Sequence, residues 1–173
     1  MSTEILDSGA AAATNSQIPE TERIEYRTSK LDTTQLSMHW PQIAAAIQAS
    51  TPDGFDKNQF VRPNVFQSIV SGQVQVWCVQ AMRESPQIVM WIITRWQTDA
   101  MTNRRFMGFD ALHAYEVVPD HGMRDAFETV TKFAAAGGAS HLVATTSNPR
   151  LLGLANQFGA DTSQRLVVWR AEE

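Results

Sequence analysis

Three side chains that can take part in proton transfer lie close together near the end of one predicted strand. His113, Tyr115 and Glu116 fall in the stretch 105–118 (RFMGFDALHAYEVV), in which strand-forming residues predominate. Histidine and glutamate are common general acids and bases. Side chains alternate between the two faces of a strand, so His113 and Tyr115 are expected on one face and Glu116 on the other, unless a bulge intervenes.

A purely structural role is the alternative for these residues. His113 would then be an ordinary hydrogen-bonded strand histidine, and Glu116 a solvated carboxylate at a strand end. His121 and Arg124, a few residues further on, either bind an anion or lie in a solvated turn. Cys78 sits in the apolar run VQVWCVQ, which is typical of a buried, unreactive thiol.

Other common kinds of site have no counterpart in the sequence. A single cysteine excludes an internal disulfide and a zinc site built from cysteines. The four histidines lack the spacing of metal ligands, so no metal site is predicted; they are His39, His113, His121 and His141. The sequence also has no Walker loop, no G-x-S-x-G and no G-x-G-x-x-G.

The elements that must position these residues follow the order β-α-α-β-β-β-α-β-α-β. Short gaps between the second, third and fourth strands favour an antiparallel meander, and the later strand-helix-strand unit requires a parallel pair. The sequence therefore predicts an α+β fold with a mixed sheet, and a bulge is expected near Gly108. The predicted strands are 23–29, 74–80, 87–97, 105–118, 141–146 and 165–170.

Four helices are predicted between these strands. The first begins at Pro41, the second at Pro63, the third follows Pro119 and ends at Gly137, and the fourth is capped by Asn148. Apolar side chains at helical spacing are expected to face inward. They are Ile43, Ala46 and Ile47; Val65, Phe66, Ile69 and Val70; Met123, Phe127, Val130, Phe133 and Ala134; and Leu151, Leu152, Ala155 and Phe158.

Composition narrows the classes of function. The chain has 173 residues, and we predict a flexible arm at 1–22 followed by a single domain at 23–173. Charged residues make up only 18%, and the net charge of −4 argues against a nucleic-acid partner. The longest apolar run, IVMWII, is too short to span a membrane, and no signal-peptide pattern begins the chain. We therefore expect a cytoplasmic protein without a membrane partner.

The element order and several local residues together resemble the GNAT superfamily of N-acetyltransferases over roughly residues 23–170. Val117 and Pro119 match the V-x-P that ends a long strand in that superfamily. A helix ending in Ala136-Gly137, the strand HLVATT and the pattern from Asn148 to Gly159 follow in the same order. The resemblance implies the GNAT fold and acetyl-CoA as cofactor. It assigns cofactor contacts to Val117, Gly122, Met123, Arg124 and Asn148, and the catalytic base to His113 or Glu116.

The pyrophosphate-binding loop of that superfamily has the form Q/R-x-x-G-x-G/A, and none of its signature residues is present here. Gly122 replaces the Gln or Arg, and Asp125 and Phe127 replace the two small residues. Asp125 is expected in the first helical turn, where its carboxylate would satisfy the helix dipole and repel a diphosphate. Phe127 is expected to fill the space that close approach of the phosphates needs.

Two further differences concern the acid and the end of the fold. Ala155 occupies the position at which many members have a tyrosine that protonates the leaving thiolate, and alanine has no acid chemistry. Only one strand is predicted after the last helix, where the superfamily usually has a pair.

Two functions from different classes are consistent with these residues. The first is a GNAT-fold protein that has lost acetyl-CoA and acts as a non-catalytic binding or structural module, without a cofactor, for a protein partner or a second copy. Small degenerate GNAT-like proteins of bacteriophages, including virion-associated ones, resemble such a module, which would place it in a host cytoplasm or a virion. The alternative is an active N-acetyltransferase that uses acetyl-CoA, with His113 or Glu116 as base.

Overall fold

The computed structural model describes residues 24–51, 63–146 and 148–163. The elements in these ranges follow the predicted order. The strands are β1 (Glu25–Lys30), β2 (Val74–Met82), β3 (Pro86–Thr98), β4 (Arg105–Ala114) and β5 (Leu142–Ala144), and the helices are α1 (Thr33–Ser50), α2 (Pro63–Val70), α3 (Asp120–Ala136) and α4 (Pro149–Gln157). The predicted arm at 1–22 and the predicted last strand at 165–170 lie outside the described residues.

The five strands form one mixed sheet in the order β1-β2-β3-β4-β5. The first four strands pair antiparallel, as the short gaps between them predict. β5 pairs parallel with β4 after the crossover through α3. The predicted α+β class is therefore confirmed.

Each face of the sheet carries its own apolar core, because strand side chains alternate between the faces. On one face, Trp91 is fully buried among α1 residues such as Ile43. On the other face, Trp77 and Met107 pack under α3 and α4. None of the helices in the described ranges combines the length and the apolar character needed to cross a lipid bilayer.

The first helix begins eight residues before the predicted start at Pro41. Asp32 caps it by accepting a hydrogen bond from the backbone N–H of Thr34 at 2.8 Å, and Pro41 lies inside the helix. Proline lacks the N–H that would donate to the carbonyl of Ser37, one turn earlier. The earlier turn places Leu36 in the α1-side core, which the predicted start at Pro41 would have left out of the helix.

Two predicted strands are shorter in the structure. β4 ends at Ala114 and not at Val118, because the chain bends at Tyr115 towards α3. β5 covers only Leu142–Ala144, and its side chains are partly or largely exposed, whereas the sequence predicted a buried strand. The pairing of β5 with β4 is equally short and covers three residues of each strand.

Two helices differ from prediction in the residues that face inward. Val70 is 46% exposed, because α2 ends there and directs Ile69 to the core. In α4 the buried residue is Leu154, while four predicted core positions are only partly buried: Leu151, Leu152, Ala155 and Phe158. The α3 face is confirmed, with Met123, Val130 and Ala134 buried.

A buried polar chain links β2 and β3 beneath α3. The indole N–H of Trp77 donates to Thr94 Oγ1 at 3.0 Å, and that hydroxyl donates to Gln75 Oε1 at 3.2 Å. Thr94 is thus fully satisfied at zero exposure. Thr28 on β1 is the contrast: its buried Oγ1 has no hydrogen-bond partner among the described residues.

This contrast predicts opposite effects for one substitution at two sites. T28V replaces an unpaired buried hydroxyl by a methyl group, so we expect the free energy of unfolding to stay the same or to rise by up to about 1 kcal/mol. T94V leaves two buried polar groups without their partner and should lower it by about 1–3 kcal/mol. Urea unfolding of both variants measures the difference; a larger loss for T28V than for T94V would contradict the assignment.

Candidate functional site

A gap opens in the sheet between β4 and β5. The two strands pair only where Met107–Phe109 faces Leu142–Ala144. Beyond Phe109, β4 continues to Ala114 with β3 on one edge, and its other edge has no strand partner among the described residues. At the point of separation Asp110 forms a bulge, because Ile93 pairs with Ala111 and Thr94 with Phe109. The predicted bulge at Gly108 therefore lies two residues further along the strand.

The edge of β4 that borders the gap carries backbone groups from alternate residues. The N–H of Tyr115 donates to the carbonyl of Val89 at 2.9 Å, so the backbone of Tyr115 faces β3. Alternation then directs the backbone groups of Leu112 and Ala114 towards the gap. The Leu112 carbonyl accepts a hydrogen bond from Ser50 Oγ at 3.3 Å. The N–H groups of these two residues are the donors that the gap offers.

His113 and Tyr115 lie on one face of β4, as predicted. Their rings meet edge to face at 5.2 Å between centroids. The hydroxyl of Tyr115 accepts a hydrogen bond from the indole N–H of Trp91 at 3.1 Å. His39 of α1 lies 5.5 Å from the Trp91 ring, which completes an aromatic cluster on the α1 face.

Glu116 does not join that cluster. Its carboxylate pairs with the guanidinium of Arg83 at 2.5 Å, and Arg83 also donates to Gln87. Burial raises the pKa of Tyr26, which belongs to the α3-side core, and the negative charge of Glu116 raises it further. The structure therefore separates the two predicted candidate bases, His113 and Glu116. Arg83 was not predicted, and its distance of 33 residues from Glu116 leaves no local signal.

The segment that corresponds to the phosphate loop lies wholly inside α3. The helix begins at Asp120 after Pro119, so Gly122 to Phe127 belong to its first and second turns. The prediction that Asp125 lies in the first turn is wrong, because Asp120 is the acidic residue there. From Arg124 onwards, each N–H donates to a carbonyl one turn earlier and is not available to a ligand.

Gly122 and Met123 are buried against the protein core, and their predicted cofactor contacts stay a prediction. A Cβ atom at Gly122 would lie 2.8 Å from two atoms of the Tyr26 ring and 3.0 Å from a methyl group of Val118. Met123 is buried in the α3-side core. Both predicted cofactor contacts therefore serve the packing of α3 on β1.

Phe127 fills the space between β4 and α4 on the α3 face. Its ring lies 5.3 Å from that of Phe109 on β4 and 5.8 Å from that of Phe158 at the end of α4. The guanidinium of Arg124 sits over the Phe158 ring at 4.8 Å. A shallow groove of about 350 Å³ remains outside this trio, with Lys132 paired to Glu128 along it.

His121 and Arg124 border a second depression, of about 440 Å³, between α3 and β1. His121 Nε2 lies 3.2 Å from the backbone carbonyl of Ile24. The carboxylates of Glu25 and Asp125 line the same depression. Two acidic groups beside two basic ones give no net positive charge for an anion. These charges do not favour an anion, but the predicted turn is also wrong, because His121 and Arg124 lie in the first two turns of α3.

Asn148 and Arg150 connect the start of α4 with the segment between β4 and α3. Asn148 Oδ1 accepts the N–H of Arg150 at 3.0 Å and caps α4, as the sequence predicted. The side chain of Arg150 donates to the Val118 carbonyl at 2.5 Å and lies 3.5 Å from Asp120 Oδ1. Val117 is 78% exposed beside this link. Within the described ranges, no group of three or more His, Cys, Asp or Glu could hold a metal ion.

The tight contact at Gly122 predicts a pair of opposite glycine effects. G122A places a methyl group against the Tyr26 ring and should lower the free energy of unfolding by about 1–3 kcal/mol. G153A in α4 meets nothing within 4 Å, so the higher helix propensity of alanine should raise it by about 0.5–1 kcal/mol. Thermal and urea unfolding compare the two; a neutral G122A would contradict the packing described.

Asp110 predicts a pH dependence of stability. Burial raises the pKa of its carboxyl above the usual value, and the Arg95 guanidinium 3.0 Å away offsets only part of this. The folded state then holds this proton more tightly than the unfolded state, whose pKa is about 3.9. The contribution of Asp110 to stability therefore falls as pH rises from about 3.9 through the folded-state pKa.

Unfolding of the wild type and D110N across pH 3–7 tests this sign. The free energy of unfolding of the wild type, relative to D110N, should decrease as pH rises and then level off. A relative increase with pH would show that the Arg95 pair dominates over burial.

Comparison with known proteins gives structural relatives only. No family model and no curated protein matches the sequence. A ribosomal-protein-alanine N-acetyltransferase from Brucella melitensis biovar Abortus 2308 superposes with a TM-score of 0.59 at 16% identity, covering 84% of this chain and 99% of that one. A probable acetyltransferase gives 0.64 at 10% identity, with 85% and 99% covered.

An aminoglycoside antibiotic 6'-N-acetyltransferase from Acinetobacter baumannii gives a TM-score of 0.58 at 11% identity, covering 86% of this chain and 99% of that one. Identities this low carry information on the fold alone. The mixed sheet, the crossover through α3 and these superpositions together show that the chain has the fold of the GNAT acetyltransferases.

Proposed function

We propose that this chain has lost acetyl-CoA binding and acts as a non-catalytic binding or structural module. The observation that supports this most is the position of Phe127. Its ring occupies the space between β4 and α4, on the α3 side of the gap, in contact with Phe109 and Phe158. A cofactor that lies along the gap would have to displace this aromatic trio.

The backbone of α3 supports the same conclusion. A diphosphate binds at a helix start because free N–H groups converge there and small residues allow close approach. Here the N–H groups of Met123 to Phe127 bond to carbonyls one turn earlier, so the free N–H groups at the helix start are those of Asp120, His121 and Gly122, beside the Asp120 carboxylate. The carboxylates of Asp120 and Asp125 would in addition repel a diphosphate. The residues present therefore do not fit acetyl-CoA.

The side chain of Arg150 further restricts the entry of a ligand between α4 and the chain that leaves β4. Its guanidinium bonds to the Val118 carbonyl and approaches Asp120, which ties α4 to the chain that leaves β4. A ligand entering between these elements would have to break this link. Asn148, a predicted cofactor contact, already uses its side-chain oxygen to cap α4.

The partner of the module is a protein or a second copy of the chain. The virion role stays a prediction from the resemblance alone. Because a fold does not dictate an activity, a stable GNAT scaffold can persist after its cofactor site is filled.

An active N-acetyltransferase is the second candidate, and the open edge of β4 favours it. The N–H groups of Leu112 and Ala114 face the gap, where they could hold an acyl carbonyl. His113 would then be the base that accepts the proton of the amine. Glu116 is unsuited, since Arg83 holds its carboxylate away from His113.

Calorimetric titration of the wild type with acetyl-CoA tests the proposal. We expect no binding heat and no rise in melting temperature. A ligand that binds only the native state at 100 times its Kd should add about 2.7 kcal/mol, which a melt detects readily. Saturable binding would overturn the loss of acetyl-CoA; if H113A then abolished turnover of an amine substrate, the enzyme would be established.

Removing the obstruction gives the complementary experiment. D125G/F127A takes away a carboxylate and the central ring, and we expect acetyl-CoA binding to appear or improve. F133A is the matched control, because Phe133 lies on the same helix but packs against Trp77, away from the gap. No gain in D125G/F127A, measured where it is folded, would contradict the role assigned to Phe127.

A further inference from the structure

We propose that two copies of this chain associate through β1, with the two β1 strands paired antiparallel about a two-fold axis at Tyr26. β1 ends the sheet among the described strands, so one of its edges is not paired with any of them. An extended edge of this kind is a ready template for another strand. The charges on β1 select one register for that strand.

The backbone of β1 offers the correct residues at its outer edge. The N–H of Leu31 donates to the Val76 carbonyl at 2.8 Å, and the same register pairs Arg27 with Gln80 and Glu25 with Met82. Backbone groups of alternate residues point to the same side in an antiparallel ladder. Those of Leu31, Arg27 and Glu25 therefore face β2.

The groups of Tyr26 and Thr28 face outward by the same alternation. His121 Nε2 already lies 3.2 Å from the carbonyl of Ile24, the next residue of this outward set. A two-fold axis at Tyr26 lets its N–H and carbonyl exchange hydrogen bonds with those of Tyr26 in the second copy. Ile24 and Thr28 pair with each other in the same way on both sides, and the Ile24 carbonyl accepts from Thr28 of the second copy with the lone pair that His121 leaves free.

The side chains make this register self-complementary. Glu25 and Arg27 are both exposed on the α1 side of β1. With the axis at Tyr26, each Glu25 lies directly opposite Arg27 of the other copy, which gives two favourable cross-strand pairs. An axis at Arg27 or Glu25 would instead place like charges opposite each other, and an axis at Thr28 would pair Arg27 with the neutral Ser29.

A depression borders β1 at the Ile24 end of its outer edge. The depression of about 440 Å³ lined by Ile24, Tyr26, His121 and Arg124 lies beside β1 and would be enclosed between the copies. The charge pairs across the two-fold axis involve β1 alone, and β2 and β3 separate β1 from the β4–β5 gap. Acetyl-CoA binding and self-association can therefore succeed or fail separately.

Sedimentation equilibrium of the full chain at low salt, with a charge-swap cycle, tests the proposal. We expect a dimer for the wild type. E25R places Arg opposite Arg, and R27E places Glu opposite Glu, so each should raise the dissociation constant about tenfold or more. The double variant E25R/R27E restores two opposite-charge pairs and should return the dissociation constant to that of the wild type.

Matched controls distinguish the effect of cross-strand charge pairing from the effect of a change in net charge. E128R, on the face of α3 towards Phe158, and R104E, before β4, change the net charge equally at exposed positions away from β1 and should leave the dimer intact. Far-UV circular dichroism melts verify that every variant is folded. A monomeric wild type, a dimer insensitive to both single swaps, or a double variant as weak as the single ones would each overturn the proposal.

Discussion

The start of α3 against β1 is the contact on which the rest of the site depends. Gly122 lets the helix approach so closely that the Tyr26 ring occupies the space where any other residue has its Cβ. This packing fixes the start of α3 at Asp120. It also keeps the side chain of Met123 in the core. Once the helix begins there, the N–H groups of Met123 to Phe127 are bonded within it, and the N–H groups left free belong to Asp120, His121 and Gly122.

The helical register that follows from this start decides what the gap contains. Met123 and Ala126 face the core, so Phe127 falls at the border between the core and the gap. The benzyl group at that position contacts Phe109 and Phe158, contacts that a glycine would not make. The same contacts stabilise α3 and α4 on the sheet, and under the proposed loss of acetyl-CoA binding they would also obstruct the gap, so that stability and cofactor binding would oppose each other.

Local signals predicted the order of elements and the helix capped by Asn148, because alternation, turn residues and caps act over a few residues. The start of α1 also had a local signal, Asp32 followed by Gln35 three residues later, which Pro41 obscured. No local signal existed for the pairing of Arg83 with Glu116, since the sheet alone brings these residues together. The register of α3 depends on Tyr26, which is distant in sequence.

Two strand edges have backbone groups without a strand partner among the described residues, and the edges differ in length and charge. β4 is an interior strand with an open edge, and its exposed N–H groups are few because the strand soon bends towards α3. β1 is an outer strand whose edge carries charges of both signs in alternate positions. Charges on an edge strand usually prevent pairing, but Glu25 and Arg27 lie two residues apart, so an antiparallel copy in one register brings opposite charges together. An edge that discourages random partners can therefore select its own copy.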